Sequence, residues 1–165
     1  MQSQIAELFL TYSVHKLRDM AECVEACFGN LSEEQIWQRH AAHENTIGNL
    51  ILHLCGNIRQ WIMHGVANHA DVRTRDVEFS TIKGLTKTKL LGLFLATVAE
   101  AETVIAVLPH ERLTDRTDPQ QRGEVSVLDA IYQVVGHVQQ HTGQIILLTK
   151  QMTNSDLDLT IPRPR

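Results

Sequence analysis

His137 and His141 stand four residues apart in the stretch Gly136-His137-Val138-Gln139-Gln140-His141-Thr142-Gly143-Gln144-Ile145. On a helix this spacing stacks two side chains on one face, with Cβ atoms roughly 5–6 Å apart. Imidazoles so placed can converge on one divalent metal ion, for zinc through Zn–N bonds of about 2.0–2.1 Å. Solvated surface histidines and hydrogen-bonded core histidines show the same spacing, so the pair alone does not decide. At about 100° per residue, Ile131, Val134, Val138, Ile145 and Met152 form one apolar stripe. His137 and His141 lie on its shoulder, with Gln144 beside them. A shoulder is where a bundle helix meets its neighbour, so a third ligand would come from an adjacent helix.

His53 is the best partner on those grounds. It sits just beside the stripe Ile47, Leu50, Leu54, Ile58 and Trp61, one turn before Asn57. Asn57 and Gln144 carry amides able to orient an imidazole or a bound water. His64 falls on about the same side as His53, which allows it a supporting or pocket role. His40 and His43 precede this helix and read as solvated loop residues that could reach a bundle mouth. His15, His69 and His110 read as surface or structural. Cys23, Cys27 and Cys55 lack finger-like or C-x₂-C spacing and read as small buried hydrophobes. Trp61 reads as core. No Glu precedes a His by three residues, which excludes the di-iron carboxylate bundle. The H-E-x-x-H, G-x-S-x-G and phosphate-loop patterns are absent as well.

The 165 residues are one domain's worth, with 43% apolar and 21% charged residues and only 5% aromatics. The core must therefore be mostly aliphatic. A net charge of −4 without a dense Lys/Arg run argues against a nucleic-acid platform. No stretch has the form of a signal peptide or the length of a membrane span, so the expected location is cytoplasmic.

Four helices must position the histidines. Ile5, Leu8, Phe9, Tyr12, Met20, Val24 and Phe28 recur at helical intervals over 2–28, and Gly29-Asn30 stops that helix. Ser32 to Trp37 looks like a capped helical turn. Thr46 caps a second helix over 46–66, and Thr86 a third over 86–107, closed by Pro109. Residues 67–85 read as a connection crossing one end of the bundle. Ser126 with Asp129 starts the fourth helix, 127–152. Before it, residues 124–127 pair with Leu113-Thr114 in a small β-hairpin. The expected fold is an all-α four-helix bundle over residues 1–153, with an extended tail over 154–165.

Two motifs, Thr46-Ile47-Gly48-Asn49-Leu50-Ile51-Leu52-His53-Leu54-Cys55-Gly56-Asn57-Ile58-Arg59-Gln60-Trp61 and the His137-x₃-His141-x-Gly143-Gln144-Ile145 helix, stand in the right order and at the right distance. Together they resemble the DinB-like (YfiT-like) superfamily of helical metalloproteins, over residues 1 to about 152. Arg75-Asp76-Val77-Glu78-Phe79 resembles the connection of one uncharacterised branch of it. The resemblance implies a four-helix bundle, often dimeric, holding one divalent metal on three histidines. The metal is commonly zinc or nickel, with water in the remaining positions. The second-helix histidine of that pattern falls on His53, and the fourth-helix pair on His137 and His141. Characterised relatives include bacillithiol thiol-S-transferases, mycothiol-dependent enzymes such as maleylpyruvate isomerase, and glutathione-linked homologues. The resemblance maps neither a thiol contact nor a catalytic residue.

Three neutral histidines leave a divalent ion with open positions, as in catalytic zinc sites. Such an ion lowers the pKa of bound water or holds an external thiol as thiolate, the nucleophilic form. The expected activity on a small-molecule substrate is that of a metal-dependent transferase or isomerase using a low-molecular-weight thiol. Its rivals are a metal-water hydrolase and a non-enzymatic dimeric metal-binding stress module. The expected assembly is a homodimer, with neither nucleic acid nor membrane as partner.

Overall fold

In the computed structural model, residues 2–39 and 41–159 are described. His40 and tail residues 160–165, on which two of the sequence expectations fall, lie outside them. The described chain forms helices α1 (Gln2–Asn30), α2 (Glu33–Ile36), α3 (Ile47–Ile58), α4 (Arg75–Ser80), α5 (Lys87–Ala106) and α6 (Val127–Thr153). A π-helical segment, Arg59–His64, continues α3. A 3₁₀ turn at His110–Thr114 precedes strands β1 (Arg116–Thr117) and β2 (Val125–Ser126). No helix among the described residues is long and apolar enough to cross a membrane.

The helix starts follow from local chemistry. Ser32, Thr46 and Ser126 each accept from the backbone N–H three residues on, and the Gln35, Asn49 and Asp129 side chains return the bond to the cap N–H. Such reciprocal capping satisfies two donors that a helix start would otherwise leave unpaired. Thr86 caps α5 through the Lys89 N–H. At the far end of α6, Asn154 adopts the left-handed conformation (φ 49°) that stops a helix.

α1, α3, α5 and α6 form the bundle. α1 packs on α5 and α6, and α3 packs on the same two, so α1 and α3 stand diagonally opposite. The core is aliphatic, with Leu17, Val24, Ile51, Leu54, Ile58, Leu90, Ile105, Ile131, Val134, Val138 and Ile145 at 2% exposure or less, and Phe28 and Phe94 among them. The inner face of α1 differs from a simple reading of its large residues. Leu10, Ser13, Leu17, Ala21, Val24, Cys27 and Phe28 face inward, while Ile5, Leu8 and Tyr12 are 63%, 68% and 64% exposed. Cys27 and Cys55 are buried, whereas Cys23 is half-buried.

Two connections depart from the expected course. The 67–85 segment joins the neighbouring helices α3 and α5, and α4 within it packs along α3 instead of crossing the bundle. The hairpin before α6 is present, but the strand partner is Arg116-Thr117, with Arg116 opposite Ser126 and Thr117 opposite Val125. Leu113 is instead buried at 5% exposure within the 3₁₀ turn, which takes it and Thr114 out of the ladder. Thr117 Oγ1 donates to the Gly65 carbonyl at 2.7 Å and Arg112 Nη2 to the Val66 carbonyl at 3.2 Å. These bonds anchor the hairpin to the end of the π-helical segment.

Candidate metal centre

His53 on α3 meets His137 and His141 on α6 where these two helices pack. One ring nitrogen from each histidine lies within 4.8 Å of the others. His53 Nε2 and His137 Nε2 are 2.8 Å apart. The ring centroids are 4.9 Å apart for His53–His137, 5.2 Å for His53–His141 and 4.4 Å for His137–His141. His53 is buried at 5% exposure, and the two α6 histidines are half-buried. The cluster therefore has a closed side, toward α3, and an open one.

Two of the three rings are held in a defined tautomer by their outer nitrogens. His53 Nδ1 is 2.9 Å from Glu78 Oε2, an acceptor, so Nδ1 carries the proton and Nε2 presents its lone pair. His141 Nδ1 is 2.6 Å from Gln144 Oε1, which leaves its Nε2 as the lone-pair nitrogen in the same way. A carboxylate behind a ligating histidine both fixes the ring and raises its basicity.

Glu78 comes from α4 and is itself clamped. Arg73 Nε donates to Glu78 Oε1 at 2.8 Å and Arg73 Nη2 to Glu78 Oε2 at 2.9 Å, a two-point guanidinium–carboxylate pair. The Arg73 and Glu78 side chains are 3% and 7% exposed. Burial alone would raise the Glu78 carboxyl, but bonds from His53 and Arg73 and the Arg73 charge outweigh it, so its pKa is depressed. Arg73 Nη1 donates onward to Gln60 Oε1 at 2.9 Å. The Asn49 amide, one turn before His53, donates to the Glu78 and Thr81 carbonyls at 2.9 and 2.7 Å, binding α4 to α3. Gly56 makes the approach possible: a Cβ there would collide with the Glu78 carboxylate and come within 3.2 Å of Arg73 Nε.

The two α6 imidazoles are pushed toward the neutral form. Burial, followed by the charges of His141, His53, Arg73 and Arg75, pushes His137 down to about 4. His141 is also lowered, by burial first and by the His53 charge, against the opposing Gln144 bond. Neutral imidazole is the form that binds a metal. Nitrogen donors with two pinned tautomers, backed by a carboxylate and an amide, fit a divalent cation.

The other sequence-singled residues are placed as follows. Asn57 is buried at 5% exposure, and its Oδ1 has no hydrogen-bond partner among the described residues. His64 lies in the π-helical segment, whose wider turn shifts it out of α-helical phase with His53; its Nδ1 is 2.7 Å from the His69 carbonyl. His15, His43 and His69 are exposed, and His110 lies 3.2 Å from Ser3 Oγ. Glu78 and Arg73 were given no role by sequence reasoning. They follow no periodicity with His53, 25 and 20 residues away. The available signal was a carboxylate set between Val77 and Phe79 in an otherwise polar connection.

A bundle with three clustered histidines on its second and last long helices defines the class: a helical protein of DinB-like fold with a candidate metal site. The fold is that of a conserved protein from Enterococcus faecalis, at a TM-score of 0.71 and 14% identity, covering 88% of this chain and 97% of that one. It is equally that of a DinB-like protein from Bacillus subtilis, at a TM-score of 0.68 and 14% identity, covering 88% and 94%. The chain belongs to the family described as "Protein of unknown function (DUF1572)", matched over residues 4–165. No curated protein matches it.

Proposed function

We propose that His53, His137 and His141 hold one divalent ion, zinc or nickel, in a transferase or isomerase that uses an external low-molecular-weight thiol. The observation that carries this reading is the convergence of three imidazoles with two outer nitrogens already bonded to Glu78 and Gln144. When bound, the ion would supply a Lewis acid able to hold a thiol as its nucleophilic thiolate.

The chain's own residues have separable tasks. Glu78 retains the His53 Nδ1 proton and Arg73 keeps Glu78 ionised. Gln144 orients His141 from the solvent side. The Asn57 Oδ1 offers a buried acceptor one turn beyond His53. An external thiol is favoured because the protein's own are poorly suited: burial pushes Cys55 up to about 12 and also raises Cys27 and Cys23.

Elemental analysis of the reconstituted protein should find about one divalent ion per chain by the three-ligand logic. His53→Ala, His137→Ala and His141→Ala should each lose most of it, and His15→Ala should lose none. Full metal content in the three ligand variants would overturn the assignment. Screening the loaded protein with several thiols and electrophiles then tests the chemistry. Thiol-independent hydrolysis would replace the transferase by a metal-water hydrolase, and metal uptake without turnover would leave a binding module.

A further inference from the structure

Beside the histidine cluster is a pocket of about 130 Å³ lined by Gln60, Arg73, Arg75, Gln120 and Arg122. Every lining side chain bears N–H donors, and none is a carboxylate. The Arg73 charge is answered by Glu78. Arg75 and Arg122 form no ion pair among the described residues. Two unanswered guanidinium groups facing one small space, in a chain of net charge −4, favour occupation by an anion.

The pocket is constructed, and the histidine cluster is its neighbour. Arg75 lies over the Phe79 ring, 5.5 Å from its centroid, and Phe79 in turn packs on His53 with centroids 4.8 Å apart. The Arg73 and Arg75 charges both act on His137. Gln120 and Arg122 are presented by the β1–β2 turn, where Asp118 accepts from the Arg122 and Gly123 N–H groups at 2.9 and 3.1 Å. Gln121 and Gly123 take positive φ values of 56° and 126° there. Gln120 Nε2 donates to Gln60 Oε1 at 3.2 Å, closing the turn onto the α3 side. The nearby Asp71 carboxylate is taken up by the Arg73 N–H and Gln60 Nε2, at 3.0 and 2.9 Å.

We infer that this pocket binds a carboxylate or phosphate group of the substrate or thiol, through Arg75 and Arg122, and so directs the ligand's other end toward the histidine cluster. The inference rests on the metal-site reading for its catalytic meaning, while the anion site stands on its own geometry. Guanidinium groups suit this task because their planar donor forks match both oxyanions. At about 130 Å³ the pocket has room for one oxyanion.

The test titrates inorganic phosphate and, separately, succinate into full-length wild type, Arg75→Ala/Arg122→Ala and His137→Ala by calorimetry, with metal content measured on each sample. The wild type and His137→Ala should bind at least one probe with similar, salt-sensitive affinity. The double variant should bind it about tenfold or more weakly while keeping its metal. Phosphate binding alone would name a phosphorylated ligand, and succinate binding alone a carboxylic acid. Unchanged affinity in the double variant, or no saturable binding of either probe by wild type at tens of millimolar, overturns the anion site. Loss of probe binding in His137→Ala would also overturn it, because the anion would then be held by the metal centre. Failure of metal uptake in wild type would instead remove the metal reading and leave the titration to stand alone.

Discussion

At the scale of single residues, the histidine cluster depends on a chain of contacts running away from it: His53 to Glu78, Glu78 to Arg73, Arg73 to Gln60. The ionised Glu78 has two functions there. It keeps the proton on His53 Nδ1, and it neutralises a guanidinium that is only 3% exposed. Glu78→Gln retains an oxygen for His53 but removes the charge. Metal affinity, read by competition with a chelator, should fall about 10–100-fold, as for other residues that support metal ligands. Stability should fall too, because a buried arginine left without its partner costs about 3–5 kcal/mol. Wild-type affinity in this variant would reduce Glu78 to a packing residue.

Elements set the distances on which those contacts rely. α3 carries Asn49, His53 and Asn57 at four-residue intervals, all buried at 5% exposure or less, so one helix face ties down α4, meets α6 and reaches the interior. Gly56 lets α4 come close enough for Glu78 to reach His53. Gly56→Ala should therefore cost about 1–3 kcal/mol through overpacking and weaken metal binding alongside. Gly136 on α6 has open space where a Cβ would go. Gly136→Ala should accordingly stabilise by about 0.5–1 kcal/mol, the ordinary helix gain. Thermal denaturation of both variants checks the pair, and equal stabilisation would show that α3 and α4 are not tightly apposed.

For the whole molecule, large apolar side chains stay exposed on two neighbouring helices. Ile5, Leu8 and Tyr12 of α1 and Tyr132 of α6 are 63%, 68%, 64% and 72% exposed. Patches of large apolar side chains mark interaction surfaces more often than they mark bare solvent. We propose that a second copy of the chain covers these side chains. Sedimentation equilibrium should give twice the 18.6 kDa chain mass at micromolar concentration, and Leu8→Glu/Tyr12→Glu should return the chain mass alone. A wild type that sediments only as the single chain would refute the dimer.

The sequence by itself determined the helices, because their causes are local. Apolar periodicity placed four long segments; the Thr46, Thr86 and Ser126 side chains mark the starts of three of them, and Ser32 that of the short α2, each within reach of its own backbone. It also singled out His53, His137 and His141, since two share a helix face and the third sits at the matching edge of another. Which α1 residues face inward was not legible there, because large apolar residues occur on both sides of that helix. The strand partner of Val125 and the course of the 67–85 segment were equally out of reach, being settled by bonds between parts of the chain far apart in sequence. The π-helical turn after Ile58 leaves no periodic signature, yet it changes the phase of His64. Only the tertiary structure brought Glu78, Arg73 and Gly56 to His53, since a buried ion pair is defined by what surrounds it and not by spacing along the chain.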